Sequence, residues 1–316
     1  MVKPWAAIIQ EATLEAGREH IRNKTDYKRA IDIFSIIESK NIVLMFQPLG
    51  ALAAAYLPAK EGRPAGILIN EKLPITKQRY SAAHEYCHFL KNDAESLDTE
   101  EDMFDFTKYR ANDSERIAES FAGIFLMPRK LVRNLIKLLN ITEFNPENVY
   151  TLSLRLGTSY SATVIRLLDL KMIDHQQYKI LSIKPKSIKS SLGNNGLDTA
   201  WNDVWKLYKR DNNNTLFPRV GDLLLLELEE NPSTGYIWSN NHVQGIEIIE
   251  HKWTSNSGIG SGGQRHIKFK ITDHVFTDIK LVYTRPWKED DVLDSISFNI
   301  KTEEKRHGVN YTLLTG

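Results

Sequence analysis

The chain has 316 residues, of which 41% are hydrophobic and 26% charged, and its formal net charge is +1. This length exceeds what one hydrophobic core usually holds, so we expect two domains. No apolar run approaches the roughly 18 residues of a membrane helix, and charges come too early for a signal peptide. One cysteine excludes an internal disulfide, and the balanced charge argues against a nucleic-acid-binding domain. These features predict a cytoplasmic protein with no membrane partner.

The first half of the chain has mostly helical periodicity. Amphipathic segments surround Ile8 and Ile33, with apolar residues at helical spacing. Residues 42–46 and 66–69 are short apolar runs bounded by Gly, Pro and Asn, which predicts the strands of a small sheet. A helix is predicted next, over residues 77–91, with Thr76 as its N-cap.

This predicted helix carries the run His84-Glu85-Tyr86-Cys87-His88. Two histidines four residues apart project from one helix face, and two such imidazoles can bind one Zn²⁺. Glu85 lies beside the first ligand, where it can take a proton from metal-bound water. The alternative is a chance match, because short motifs give false positives. We expect Cys87 to be a buried, inert thiol rather than a ligand.

A zinc hydrolase usually has three protein ligands, so one more must come from elsewhere. Residues 113–128 predict a second helix that Pro128 ends, with Glu115 in its first turn and Glu119 one turn later. The acidic stretch of residues 93–105 lies between the two helices. It is expected to be a solvated loop, and the alternative is a lip for a basic substrate.

Three blocks of this half, residues 79–88, 115–122 and 126–128, together resemble the ImmA/IrrE-type metallopeptidases. The resemblance covers roughly residues 1–180. It implies a helical, zincin-like domain with a small sheet and a gluzincin-like zinc site in which Glu115 is the third ligand. The implied activity is hydrolysis of a peptide bond with Glu85 as the general base.

Two further roles stay open at this stage. Glu119 either orients a ligand imidazole or is an ordinary exposed carboxylate. A donor to the oxyanion is also expected, and Tyr80, Tyr109 and Arg110 are the candidates.

Residues 146–175 resemble a helix-turn-helix, with Gly157 in the turn. The second helix offers only Arg166 and a few hydroxyls for contact with DNA, whereas a DNA-binding helix normally has more basic neighbours. We therefore favour a helical element that packs on the peptidase domain over a DNA-binding one.

The period of the hydrophobic pattern changes to two after residue 215. Alternating apolar residues in 224–228, 267–271, 279–283 and 296–300 predict an all-β sandwich, so the fold class is α+β. The predicted domains are residues 1–183 and 198–316, joined by a polar linker over 184–197.

Three loops of the β domain stand out. The first two are turn material with Pro and Gly. In the third, Trp287 is either an interface anchor at a loop tip or a cap on the sandwich core. The loop residues are Asn231, Pro232, Ser233, Thr234, Gly235 and Tyr236, then Gly262, Gly263 and Arg265, then Arg285, Pro286 and Trp287.

These three loops, in this order, resemble those of the chagasin-type cysteine-peptidase inhibitors over about residues 200–303. The resemblance implies an immunoglobulin-like sandwich whose loops lie at one end and plug the cleft of papain-like enzymes.

The leading hypothesis is a zinc endopeptidase with an inhibitor-like recognition module. The family resemblance implies that its substrate is a regulatory protein, such as a helix-turn-helix repressor, in a mobile-element or stress-response circuit. The alternative is an inhibitor that binds a cysteine peptidase and uses its metal domain as a sensor or scaffold. Direct control of transcription through residues 150–170 is a third hypothesis.

Overall fold

A computed structural model describes residues 3–101, 112–193, 202–255 and 262–309, and its class is α+β. The chain divides into two compact units. The first comprises Met1–Phe144, Leu152–Ser182 and Lys305–Gly316, and the second comprises Asn145–Thr151 and Ile183–Glu304. Among the described residues, none of the helices is both long enough and apolar enough to cross a bilayer.

Helices dominate the amino-terminal part of the chain. They are α1 (Trp5–Arg22), α2 (Ile33–Glu38), α3 (Ile75–Lys91), α4 (Asp113–Leu126), α5 (Arg129–Leu138), α6 (Pro146–Leu156), α7 (Tyr160–Asp169), α8 (His175–Leu181) and α9 (Pro185–Gly193).

The first unit contains a five-stranded sheet of order β13-β1-β3-β2-β4. Its strands are β1 (Val43–Gln47), β2 (Leu52–Leu57), β3 (Gly66–Asn70), β4 (Ser96–Thr99) and β13 (Gly308–Val309). Strands β1 and β3 are parallel, and the other neighbours are antiparallel. The apolar runs predicted as strands are therefore the interior of this sheet, and β4 forms one of its edges.

The core of the first unit lies between α1, α3 and α4. Tyr86, Phe121 and Phe125 are fully buried, and the rings of Phe121 and Phe125 stack with centroids 5.1 Å apart. Helix α3 begins at Ile75 with Pro74 as its N-cap, so Thr76 is not the cap that the sequence suggested. The φ of Pro74 is −55°, and the ring of proline fixes φ at a value that suits the residue just ahead of a helix.

The segment that resembles a helix-turn-helix forms α6, a turn at Gly157 and α7. Gly157 has φ +65°, and a Cβ there would lie 2.8 Å from the guanidinium carbon of Arg79. In α7 the Nε of Arg166 donates to the carbonyl oxygen of Met127 at 2.9 Å, and burial lowers the pKa of Arg166 to about 10. The one arginine considered for DNA contact therefore faces the protein, which favours the packing role.

The second unit contains two four-stranded sheets. One has the order β5-β7-β10-β9 and the other β6-β12-β11-β8. The strands are β5 (Val204–Leu207), β6 (Thr215–Leu216), β7 (Leu223–Glu230), β8 (Ile237–Asn240), β9 (Ile246–Ser255), β10 (Gly263–Ile271), β11 (Phe276–Arg285) and β12 (Lys288–Lys301).

Alternate residues of these strands are buried, as the period of two predicts. Leu224, Leu226, Phe269, Leu281 and Phe298 are among them, each no more than 2% exposed. Where the sequence predicts a polar linker, over residues 184–197, the chain forms helix α9 through Gly193.

Candidate metal centre

Helix α3 places both motif histidines on a buried face. His84 is 0% exposed and His88 1%, and their Nε2 atoms lie 3.2 Å apart. The four-residue spacing stacks them one turn apart on that face, as the sequence predicted. The two nitrogens therefore point at one position.

Glu115 reaches the same position from helix α4. Its Oε2 lies 3.2 Å from Nε2 of His84, and its Oε1 lies 3.5 Å from Nε2 of His88. Asn112 caps this helix by accepting a hydrogen bond from the backbone N–H of Ser114 at 2.9 Å, which fixes the first turn that carries Glu115.

These three side chains fit a zinc ion. Zinc bonds of about 2.0–2.2 Å in tetrahedral geometry separate neighbouring ligand atoms by about 3.3–3.6 Å. The separation of 3.5 Å lies within that range and the two of 3.2 Å lie just below it, with the two distances to Glu115 measured to its two different oxygens. Two imidazoles and one carboxylate are also a donor set that zinc hydrolases use.

The electrostatics of the cluster favour a cation. Burial lowers the pKa of His84, which keeps that imidazole neutral and able to bind a metal. Burial also lowers the pKa of His88, but Glu115 outweighs it and raises the value to about 9. Burial would raise the pKa of Glu115, yet its hydrogen bonds with His84 and His88 hold it below its ordinary range. The carboxylate thus stabilises positive charge between itself and the imidazoles, whether a proton or a metal ion carries it.

Glu85 is fully buried next to this cluster. The hydroxyl of Ser96 donates to its Oε2 at 2.7 Å, and its Oε1 has no hydrogen-bond partner within the described part of the chain. Burial, with the charge of Asp98 as the next cause, raises the pKa of Glu85 well above its ordinary value. A carboxylate with a raised pKa can accept and release a proton near neutral pH.

Two aspartates of the acidic stretch also belong to the site, and the sequence analysis missed them. Asp98, on β4, is 5% exposed, and its Oδ2 lies 3.6 Å from Nε2 of His84. The carboxylate of Asp93 lies 2.9 Å from Nδ1 of His88 and accepts a hydrogen bond from it in the Nδ1–H tautomer. The expectation of a fully solvated loop is therefore wrong for these two residues, because β4 pairs with β2 and turns the segment back over α3.

The remaining predicted residues of this unit have other surroundings. The backbone carbonyl of Glu119 accepts a hydrogen bond from the Tyr80 hydroxyl at 3.1 Å, and the role of the Glu119 side chain stays a prediction. Tyr109 and Arg110 lie outside the described residues. Cys87 is fully buried, and burial raises the pKa of its thiol, as expected for an inert cysteine.

In the second unit, the first and third predicted loops touch. The guanidinium of Arg285 lies 4.5 Å from the centroid of the Tyr236 ring, and its Nη2 donates to the carbonyl oxygen of Thr234 at 3.4 Å. The Trp287 ring is so close to Gly235, which has φ +82°, that a Cβ there would meet it at 2.7 Å. Trp287 is nevertheless 74% exposed. It therefore lies over the first loop rather than capping a core.

Other members of the first loop shape its turn. The Asn231 side chain accepts from the backbone N–H of Ser233 at 3.2 Å, which starts the short 3₁₀ turn Pro232–Thr234. Pro232, Ser233 and Pro286 are exposed.

The second loop is described from Gly262 onwards, and it adjoins the first. A Cβ on Gly262 would lie 3.5 Å from the Cβ of Asn231, and one on Gly263 would collide with the Thr254 carbonyl at 2.1 Å. Arg265 forms an ion pair with buried Glu230, whose Oε2 also accepts from the backbone N–H of Trp238 at 2.8 Å. Arg265 therefore helps to hold the loops in place through its ion pair with Glu230, a role that its position in the sequence did not reveal.

Comparison with known proteins identifies two domain classes, a peptidase and a peptidase inhibitor. A family model described as IrrE N-terminal-like domain matches residues 37–168, and one described as Chagasin family peptidase inhibitor I42 matches residues 218–302. The first is a metallopeptidase family. The chain therefore contains an IrrE-like domain followed by a chagasin domain, as the sequence motifs predicted. Through the second domain it belongs to the chagasin family.

The similar proteins match the second domain. Amoebiasin-1 of Entamoeba histolytica is 36% identical over 84 residues, which are 26% of this chain and 82% of that protein. Chagasin of Trypanosoma cruzi is 28% identical over 90 residues, 26% of this chain and 82% of that protein. A solved cysteine protease inhibitor of Entamoeba histolytica has 25% identity and a TM-score of 0.31, and the match covers 33% of this chain and 98% of that one.

Proposed function

We propose that the first unit is a zinc-dependent endopeptidase with His84, His88 and Glu115 as metal ligands. One observation carries this proposal: three side chains from two helices converge, with their donor atoms 3.2–3.5 Å apart, while the neighbouring carboxylate of Glu85 stays outside the ligand set. The IrrE-like domain match supports the same activity.

The proposed chemistry assigns separate tasks to the side chains. A divalent cation at this position would polarise a peptide carbonyl and lower the pKa of an adjacent water molecule. Glu85 accepts the proton of that water through Oε1, because Oε2 is engaged by Ser96. Glu85 then delivers the proton to the leaving nitrogen. Burial of the site strengthens these interactions by excluding bulk water.

We further propose a regulatory protein, such as a helix-turn-helix repressor of a mobile-element or stress-response circuit, as the substrate in the cytoplasm. The resemblance of the first unit to ImmA/IrrE-type metallopeptidases motivates this assignment. The second unit then supplies partner recognition through its three loops.

Metal analysis and proteolysis of three variants test the peptidase proposal. Glu85→Gln is expected to retain zinc and to lose at least about 100-fold in cleavage of a candidate repressor, because it loses the general base. His88→Ala and Glu115→Ala are expected to lose the metal itself, since each removes a ligand. Undiminished cleavage by Glu85→Gln, or full zinc content in both ligand variants, contradicts the assignment.

The second unit favours one further function, inhibition of a papain-like cysteine peptidase. Its three loops adjoin one another, Trp287 presents an exposed indole, and residues 218–302 belong to a family of peptidase inhibitors. A large, rigid aromatic side chain at a loop tip is a common anchor of protein interfaces. In the alternative hypothesis this binding is the main function, and the metal domain is a sensor or scaffold.

Inhibition of papain by the full chain tests this second function. The Glu85→Gln variant serves as the parent, so that proteolysis by the first unit does not interfere. We expect nanomolar inhibition that Trp287→Ala weakens by at least about tenfold, since truncating an anchor costs more than about 1.4 kcal/mol. Phe276→Ala is the matched control, because Phe276 is an 83% exposed aromatic residue at the opposite end of β11 from Arg285 of the third loop. No inhibition of several papain-like enzymes, or an equal loss in both variants, counts against this function.

A further inference from the structure

The candidate metal centre has a fourth member that the three-ligand site does not use. The side chains of His84, His88, Asp98 and Glu115 each offer one donor atom, and these four atoms lie within 4.8 Å of one another. Asp98 lies on the edge strand β4, whereas the other three residues lie on helices α3 and α4. Its carboxylate is buried rather than solvated, with 5% of the residue exposed.

We propose that Asp98 is the fourth protein ligand of the metal and that it occupies the position a catalytic water requires. The inference rests on the proposed metal site. It adds that, in this conformation, the site is closed and the peptidase is latent. Structural zinc sites have four protein ligands, whereas catalytic sites leave one position open for water or substrate.

The geometry supports a tetrahedral set that includes Asp98. Its Oδ2 lies 3.6 Å from Nε2 of His84, next to separations of 3.2, 3.2 and 3.5 Å among the other donor atoms. A zinc ion with bonds of about 2.0–2.2 Å needs separations of about 3.3–3.6 Å. The separation between Asp98 and His84 meets that requirement, and the Asp98 donor atom lies within 4.8 Å of those of His88 and Glu115.

Charge balance supports the same set. Asp98 and Glu115 place two carboxylates within 4.8 Å of each other in a buried cluster. Buried like charges are stable only when an opposite charge compensates them. One divalent cation, two neutral imidazoles and two carboxylates give a neutral site.

Strand β4, which carries Asp98, is suited to move away from the proposed metal position. Strand β4 has four residues, lies at the edge of the sheet, and pairs with β2 through an irregular register between Leu52 and Ala54. Leu97, next to Asp98, is 60% exposed. The pairing of β4 with β2 and the hydrogen bond of Ser96 with Glu85 are among the interactions that must break before a water molecule or a substrate carbonyl replaces the carboxylate. A partner that captures β4 would thereby activate the enzyme.

Cobalt substitution of the full chain tests the fourth ligand directly. Co²⁺ absorbs visible light in a way that reports its coordination, and azide changes that spectrum only when a coordination position is open to it. We expect the wild-type Co²⁺ protein to be insensitive to azide and Asp98→Asn to respond. The variant should also bind Zn²⁺ more weakly by more than the about 10- to 100-fold typical of an outer-sphere partner. Glu100→Gln is the matched control, because it removes a carboxylate from the same segment that pairs with Lys77 instead.

The outcomes separate this inference from the proposed function. An azide response in the wild type overturns the fourth-ligand assignment, even if the variant fails to fold. Equal Zn²⁺ affinity in wild type and Asp98→Asn overturns it as well. If Asp98→Asn opens the site and gains proteolysis of the candidate repressor, both proposals stand. If the site opens and still no substrate is cut, the ligand assignment stands and the peptidase proposal fails.

Discussion

Both ring nitrogens of His88 lie against carboxylates, with Nε2 3.5 Å from Glu115 and Nδ1 2.9 Å from Asp93. The hydroxyl of Ser114, in the first turn of α4, donates to Asp93 in turn. A hydrogen bond at one imidazole nitrogen fixes the tautomer and the ring plane of a metal ligand. Asp93 therefore directs the Nε2 lone pair of His88 towards the metal position and also ties α3 to α4.

Replacing Asp93 by Asn tests this orienting role. The isosteric change keeps the shape but removes the negative charge that favours the Nδ1–H tautomer, so Zn²⁺ affinity should fall about 10- to 100-fold. Competition with a chromophoric chelator measures the affinity. The azide response of the Co²⁺ protein should not change, which distinguishes Asp93 from Asp98. Glu95→Gln, an exposed neighbour in the same stretch, is the control, and an equal loss of affinity in that variant would contradict the assignment.

At the scale of elements, the packing of α3 against α4 brings the proposed metal ligands together. Tyr86 on α3 and Phe121 on α4 are fully buried, with ring centroids 6.4 Å apart. Their contact sets the rotation of each helix, so that the histidines and Glu115 share one side of the interface. The sequence predicted the helix α4, but not the helix against which it packs.

Phe121→Ala should therefore weaken both the fold and the site. Removal of a fully buried phenylalanine side chain costs about 3–5 kcal/mol, because it leaves a cavity between the helices. Leu14→Ala is the control, since Leu14 is 55% exposed, and it should change the free energy of unfolding by no more than about 0.5 kcal/mol. Urea unfolding and Zn²⁺ titration measure the two effects. A Phe121→Ala protein as stable as the Leu14→Ala control would show that this contact does not hold α3 and α4 together.

Two strands of the first unit that were not predicted from the sequence have weak intrinsic signals. Strand β2 has the sequence LAAAYL and strand β4 the sequence SLDT. Alanine and aspartate are both depleted in strands, and β4 is too short to show a period of two. Each is a strand because a neighbour pairs with it, and pairing over long sequence distances leaves no local pattern.

At the scale of the whole molecule, the two units are not continuous in sequence. Residues 145–151 belong to the second unit, where the Tyr150 hydroxyl donates to Asp203 at 2.8 Å. The segment Lys305–Gly316 belongs to the first, where β13 pairs with β1. The predicted domain ranges, 1–183 and 198–316, stay a prediction. The first range includes residues 145–151, which group with the second unit, and the second range includes Lys305–Gly316, which groups with the first.

A chain that ends at Glu304 tests the contribution of the terminal segment to the first unit. Arg306 exchanges two hydrogen bonds with buried Gln78, at 3.2 and 3.5 Å, and β13 adds its ladder to β1. At about 1 kcal/mol for each net hydrogen bond, the loss should lower the melting temperature of the first unit by several degrees. Calorimetry measures the transition. Substitution of His307 by Ala is the control, since its contact with Glu71 is solvent-exposed, and an unchanged transition in the truncated chain would contradict the expectation.

The amino-acid sequence by itself determined the chemistry that is local in the chain. The spacing of His84 and His88, the position of Glu85, the helical and alternating periods, and the three loops all follow from residues close together in sequence. The proposed third ligand, Glu115, came only through a family resemblance. Tertiary structure alone decided that Asp93 and Asp98 face the metal position, that Arg265 pairs with buried Glu230, and that Trp287 rests on Gly235. Such contacts depend on strand register and helix rotation, which are fixed by packing across the fold and leave no spacing in the sequence.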